Sequence, residues 1–110
     1  MSLRTDFSGT RDTKIAEARV AGRTWVLTDH LVDLQTGMSA AANQGLKDFK
    51  LEYAVSYQTQ DLRLGGSLWG AFKTGVIEGL AVEDIMVDES AVTLNTSDNV
   101  NTFVAIDFTF

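Results

Sequence analysis

Residues 46–80 constrain the fold of this chain most, because their hydrophobic pattern changes its period once. Between residues 49 and 57, a large apolar side chain occupies every odd position and a polar, charged or small one every even position. This period of two predicts a half-buried β-strand. From Trp69 to Leu80 the apolar residues recur mostly at steps of three and four, which predicts a helix with one apolar side.

This second helix is rich in glycine, because five of the nine glycines of the chain lie between residues 65 and 79. Glycine inside a helix costs about 1 kcal/mol relative to alanine, so the glycines indicate close packing or a break near the helix start. The spacings Gly66 to Gly70 and Gly75 to Gly79 predict narrow strips that another backbone can approach closely. The strips either let the helix lie flat on its own sheet or meet another subunit, and the sequence supports both interpretations equally.

A long first helix is predicted from residue 12 to about residue 36. It begins with strong helix formers, and an apolar stripe then runs at helical steps from Val20 to Met38. Gly37 suits the left-handed residue just past a helix end. A break near Gly22, or a short strand at residues 23–28, is the alternative, because this region contains residues that favour strands.

The end of the chain predicts a β-hairpin, because two alternating runs flank a short polar turn. With the earlier elements this gives the order α-β-α-β-β. That order indicates an α+β fold of two layers, in which two helices cover one face of an antiparallel sheet of about three strands. Residues 10–110 then form one domain behind a polar arm at residues 1–9. The predicted helices are residues 12–36 and 61–79, and the predicted strands are residues 47–58, 90–96 and 102–110; residues 38–45 are helix or loop, and residues 83–88 a short extended piece.

Composition excludes several classes of function. The chain has no cysteine, which rules out disulfides, thiol catalysis and cysteine-ligated metals. Its net charge is −6 and its nine basic residues form no block, so we expect no direct binding of nucleic acid. No apolar run approaches the roughly 18–20 residues of a membrane span, and no apolar core of a signal peptide is present. We therefore expect neither a membrane partner nor secretion.

Candidate chemistry is sparse. His30 is the single histidine, and Asp33 lies one helical turn further on, where the two side chains can face each other as a base and its orienting carboxylate. No nucleophile can be placed beside them, so a structural role for His30 is favoured. Asp84, Asp88 and Glu89 lack the spacing of a calcium loop. We predict no catalytic, cofactor-binding or metal-binding residues and hence no enzyme.

Two hypotheses from different classes remain. One is a small-ligand-binding or lyase-like domain with a pocket between helix and sheet. Tyr53, Tyr57 and Trp69 would line that pocket, with His30 nearby. The solution mass separates the two hypotheses, because a monomer that binds small aromatic ligands would favour the pocket.

The other hypothesis is a non-enzymatic assembly subunit that pairs with copies of itself. The polar arm contains two isolated large apolar residues, and the final strand ends on a phenylalanine, so an unprotected strand edge could pair with another chain. The glycine strips fit the same interpretation. The predicted interface residues are Leu3, Phe7, Gly66, Gly70, Gly75, Gly79, Phe108 and Phe110.

Residues 46–53, 68–73 and 103–110 also resemble small virion proteins of tailed bacteriophages in their general style of sequence. The resemblance covers residues 46–110 and includes no motif from which functional residues could be transferred. It implies a structural component of head, neck or tail, present in many copies and without catalysis. Its partners would be itself and other structural proteins of the particle, and its location the virion; without the resemblance, the expected location is the cytoplasm.

Overall fold

The computed structural model describes residues 11–54, 66–96 and 102–110. They form three α-helices and a three-stranded sheet. The elements in chain order are helix α1 (Arg11–Thr24), a π-helical turn (Trp25–Asp29), helix α2 (Leu31–Asn43), strand β1 (Asp48–Ala54), helix α3 (Gly66–Val82), a 3-10 turn (Glu89–Ala91), strand β2 (Val92–Thr96) and strand β3 (Thr102–Thr109). The arm at residues 1–9, the predicted start of the second helix at residue 61 and the polar turn of the hairpin lie outside the described residues.

The sheet has the order β1-β3-β2, and both pairings are antiparallel. Ile106 of β3 pairs with Leu51 of β1 on one side and with Val92 of β2 on the other. All three are buried on the face that meets the helices. Lys50 and Glu52, on the opposite face of β1, are exposed. The fold is therefore α+β with two layers, as the sequence predicts.

The final strand is the central strand of this sheet, so the expectation that its edge is unprotected is wrong. It pairs with β1 along nearly its whole length, from Phe103 to Thr109. On its other side it pairs with β2 from Thr102 to Ile106. Hydrophobic alternation predicts the strand but not its neighbours, because the same pattern fits an edge and a centre.

The first helical region remains helical through residues 23–28, so neither predicted alternative is found. Ala18, Ala21, Trp25 and Val26 are buried. The steps of three and four from Ala18 to Ala21 and Trp25 place these side chains on one side of a helix, whereas a strand would bury alternate residues. The helix divides at His30 instead, where φ is −132° and ψ is −1°. This division gives three α-helices rather than two.

The left-handed residue just past the end of α2 is Gly45, not Gly37 as predicted. Gly37 lies inside the helix, where an added Cβ would be 2.3 Å from Cζ of Phe49, so the missing side chain makes room for that ring. Gly45 has a φ of 72° and follows a last turn closed by a hydrogen bond from the Leu46 N–H to the Ala41 carbonyl at 3.0 Å. This is the left-handed ending that glycine favours.

Helix α3 ends in the same way, but with an aspartate in the left-handed position. Asp84 has a φ of 59°, and the Ile85 N–H donates to the Leu80 carbonyl at 3.0 Å. A residue with a side chain is strained in this conformation by about 1–2 kcal/mol. The predicted extended piece at residues 83–88 therefore begins as a turn and joins no strand of the sheet.

Candidate functional site

Helices α1 and α3 touch through their backbones. A Cβ added to Gly75 would lie 2.0 Å from the Arg19 carbonyl oxygen, and one added to Gly22 would lie 2.0 Å from the Phe72 carbonyl oxygen. Further along, a Cβ on Gly79 would lie 2.7 Å from Cγ1 of Val26, so the two helices run in the same direction. We call this contact the helix seam.

The helix seam fills the second glycine strip from within the chain. Gly75 meets α1 and Gly79 meets the π-helical turn that follows it in the same molecule, rather than the sheet or another subunit. Gly70, in contrast, has no atom within 4 Å of an added Cβ. Its role in an interface stays a prediction, as does that of Gly66, the first residue of α3.

An ion pair borders the helix seam. The Arg19 guanidinium donates to both carboxylate oxygens of Glu78, with Nε 2.7 Å from Oε1, and Arg23 Nη2 lies 3.4 Å from the same Oε1. The hydrogen bond from Arg19 is the main reason that the pKa of Glu78 is lowered. Two guanidinium groups thus share one carboxylate, which leaves an excess positive charge on the outer side of α1.

His30 packs between two aromatic rings at the junction of the π-helical turn and α2. Its ring stacks on Tyr53 with centroids 4.2 Å apart and planes 7° apart, and it meets Trp25 edge-on at 4.8 Å. The Tyr53 hydroxyl donates to Oδ2 of Asp33 at 3.2 Å. Burial and the Asp33 carboxylate raise the pKa of Tyr53. Asp33 therefore holds Tyr53, and Tyr53 covers His30, which is a structural arrangement for the single histidine.

Acidification is expected to loosen this cluster. Burial lowers the pKa of His30 below its ordinary 6.5, although Asp29 and Asp33 oppose the change. The unfolded chain then binds the proton more readily, so the free energy of unfolding should fall as the pH drops below about 6.5. Urea denaturation at about pH 7.5 and about pH 5.5 measures this loss across the usual titration range of histidine. His30→Gln should show a smaller loss; an equal loss in the variant would show that other groups cause it.

The pocket hypothesis placed Trp69 and His30 around one cavity, but two buried rings lie between them. Trp25 contacts His30, and Phe72 lies 6.1 Å from both Trp25 and Trp69 by ring centroids. Trp25 and Phe72 are almost completely buried. A series of ring contacts through Trp25 and Phe72 thus connects Trp69 with His30. Tyr57 lies outside the described residues.

A groove of about 750 Å³ lies where the chain leaves α3 and where β3 ends. It is lined by Met38 and by residues 84–88, 90–91 and 107–110, and we call it the acidic groove. Three of its lining residues are aspartates, Asp84, Asp88 and Asp107, and none of those described is basic. Its apolar side chains include two of the most prominent on the described surface, Met86 at 79% exposure and Phe110 at 52%.

Backbone hydrogen bonds lie at one exposed residue of the acidic groove and next to the other. The Phe110 N–H donates to the Lys47 carbonyl at 2.9 Å, which extends the β1–β3 ladder by one residue. Met86 follows directly after the hydrogen-bonded ending of α3. A surface on which several apolar residues line one groove is a candidate interaction site.

A second apolar surface lies on the outer side of α1. A shallow hollow of about 470 Å³ is lined, among the described residues, by Ile15, Ala16, Arg19, Val20 and Arg23. Val20 is 43% exposed. We call this surface the α1 strip; it is apolar and basic, whereas the acidic groove is apolar and acidic.

The predicted interface residues thus fall into separate places. Phe110 lines the acidic groove and is exposed, but Phe108 is only 4% exposed and belongs to the core, so Phe108 is not a surface residue. Leu3 and Phe7 lie outside the described residues. Sequence reasoning missed Met86, although one signal was present: an isolated methionine among acidic residues just past a helix.

The described residues form neither a metal site nor a membrane-spanning helix. Within residues 11–54, 66–96 and 102–110, no three side chains of the metal-binding types converge. Glu89, one of the carboxylates weighed above as a metal ligand, pairs with Lys73 at 2.9 Å. In the same part of the chain, no helix combines the length and the apolar character that a membrane crossing requires.

Comparison with protein-family models, with curated proteins and with solved structures finds no match to this chain.

Proposed function

We propose that this chain is a non-enzymatic structural subunit that assembles with copies of itself. The observation that carries the proposal is the acidic groove, which is lined by the exposed apolar side chains of Met86 and Phe110. Leaving two large apolar side chains in water is unfavourable, since burying one contributes about 1.5–3 kcal/mol. A partner that covers the groove gains this free energy.

The arrangement of His30 supports the same proposal. A general base must reach the proton that it removes. The His30 ring instead stacks on Tyr53 and contacts Trp25, and Tyr53 uses the nearby Asp33 carboxylate. This cluster joins the π-helical turn and α2 to β1, which is a structural role.

The resemblance of residues 46–110 to small virion proteins of tailed bacteriophages favours one kind of assembly. In this proposal the chain is a component of the head, neck or tail and is present in many copies. Other structural proteins of the same particle are its further partners. Its location is then the virion, with no direct contact to nucleic acid.

Substitution in the acidic groove tests the proposal. Met86→Asp adds a fourth carboxylate and removes an apolar contact, so assembly should require about tenfold or more higher protein concentration. Light scattering behind size-exclusion chromatography measures the mass at each concentration. Val32→Asp is the matched control, because Val32 is 74% exposed on α2, outside the groove.

Two results would count against the proposal. The first is a wild-type protein that elutes as a 12.0 kDa monomer at every concentration. The second is an equal effect of both substitutions, which would show that added charge alone causes the change. Circular dichroism checks that both variants are folded.

A further inference from the structure

We propose that copies of this chain join head to tail, with the acidic groove of one copy on the α1 strip of the next. This inference rests on the proposed assembly function and names the contact that produces it. The described residues of both surfaces include exposed apolar side chains, Met86 and Phe110 on one and Val20 on the other.

Charge selects this pairing. Asp84, Asp88 and Asp107 line the groove without a basic residue among the described lining, whereas the α1 strip includes Arg19 and Arg23, which both pair with Glu78. Two acidic grooves placed against each other would bring like charges together, which is destabilising. The α1 strip supplies the opposite charge and an apolar surface in the same place.

The two surfaces lie at different places on the molecule. The groove lies beyond the end of α3 and at the end of β3, while the strip lies on α1 over residues 15–23. A contact between two different surfaces is heterologous, and it produces a ring if the rotation closes or a filament if it does not. One contact of this kind therefore generates an assembly of many copies.

Asp84 adds a further observation about the groove. It holds a left-handed backbone conformation that glycine adopts more easily. Its carboxylate lines the groove. Strain of this sort is often found at functional sites, and here it accompanies a charge that the contact with Arg19 and Arg23 would use.

Disulfide trapping tests the contact directly, because the wild-type chain has no cysteine. Met86→Cys and Val20→Cys are made in separate chains, one of them tagged, and the two proteins are mixed under mild oxidation. Apposition raises the effective concentration of the two thiols, so mixed disulfides should exceed those of a control pair about tenfold. The control pair is Met86→Cys with Val32→Cys, since Val32 is exposed outside both surfaces. The products are separated by mass on a non-reducing gel.

Each outcome is decisive. Dominant mixed disulfides between positions 86 and 20 support the head-to-tail contact. Dominant Met86→Cys homodimers in a protein that assembles would overturn the head-to-tail contact and leave the assembly function standing. A protein that remains monomeric and yields no preferred disulfide would overturn the assembly function and this inference with it.

Discussion

Replacing Gly75 by alanine is expected to lower the free energy of unfolding by about 3 kcal/mol, as an overpacked core contact does. The new Cβ would lie 2.0 Å from the Arg19 carbonyl oxygen, a backbone atom that cannot rotate away. Helices α1 and α3 would have to separate along the seam, which loosens the buried side chains of Phe72 and Val76. The melting temperature should fall by roughly 10–20 °C for a domain of this size.

Gly70→Ala is the matched control, because it is the same substitution one turn and a half earlier in α3. An added Cβ at Gly70 has no atom within 4 Å. Alanine favours the helix over glycine by up to about 1 kcal/mol, so this variant should be slightly more stable than the wild type. Similar melting temperatures for both variants would contradict the close contact at the helix seam.

Replacing Phe72 by alanine should cost about 3–5 kcal/mol in the free energy of unfolding, the usual range for a buried phenylalanine. Its side chain is fully buried and its ring lies 6.1 Å from the rings of both Trp25 and Trp69. Truncation leaves a cavity on the inner side of α3. The helices cannot move together to close it, because their backbones already touch at the helix seam. This loss is a large part of the free energy of unfolding of a typical domain, which is roughly 5–15 kcal/mol.

Phe110→Ala provides the comparison for Phe72→Ala, because it removes the same side chain from an exposed position. In a monomeric sample its effect should stay within about 0.5 kcal/mol. Urea denaturation at low protein concentration measures both variants. If Phe110→Ala cost as much as Phe72→Ala, Phe110 would belong to the core and the acidic groove would not be open.

The sequence predicts a secondary-structure element well where its hydrophobic pattern fits only a strand or only a helix. Alternation places Leu51 and Tyr53 on the inner face of β1, and the structure confirms this assignment. The predicted antiparallel pairing of β2 and β3 is also confirmed, and it too was indicated by alternation. The sequence determines the first helix less clearly, because residues 23–28 include types that favour a strand, whereas their burial in the structure follows a helical stripe.

Contacts between distant elements could not be read from the sequence. The glycine pattern of α3 shows that something approaches closely, but α1, the sheet and another subunit satisfy it equally. His30 and Tyr53 are 23 positions apart, and no local pattern predicts that their rings stack. The central position of β3 depends on its pairing with β1, which hydrophobic alternation does not specify.

The sequence predicts the exposure of some candidate interface residues but not of others. Alternation along the strand assigns Phe108 and Phe110 to the same face, because they are two positions apart. In the structure Phe108 is buried in the core, whereas Phe110 is 52% exposed. Phe110 lies just past the last residue of β3 and is therefore free of that core. Met86 has no periodic neighbours, so its exposure follows only from the three-dimensional path after α3.

Sedimentation velocity of the wild-type protein over a wide concentration range tests the central claim most directly. The account predicts a mass that rises from 12.0 kDa to a closed ring or a growing filament as the concentration increases. A single species of 12.0 kDa at every concentration would contradict assembly through the acidic groove.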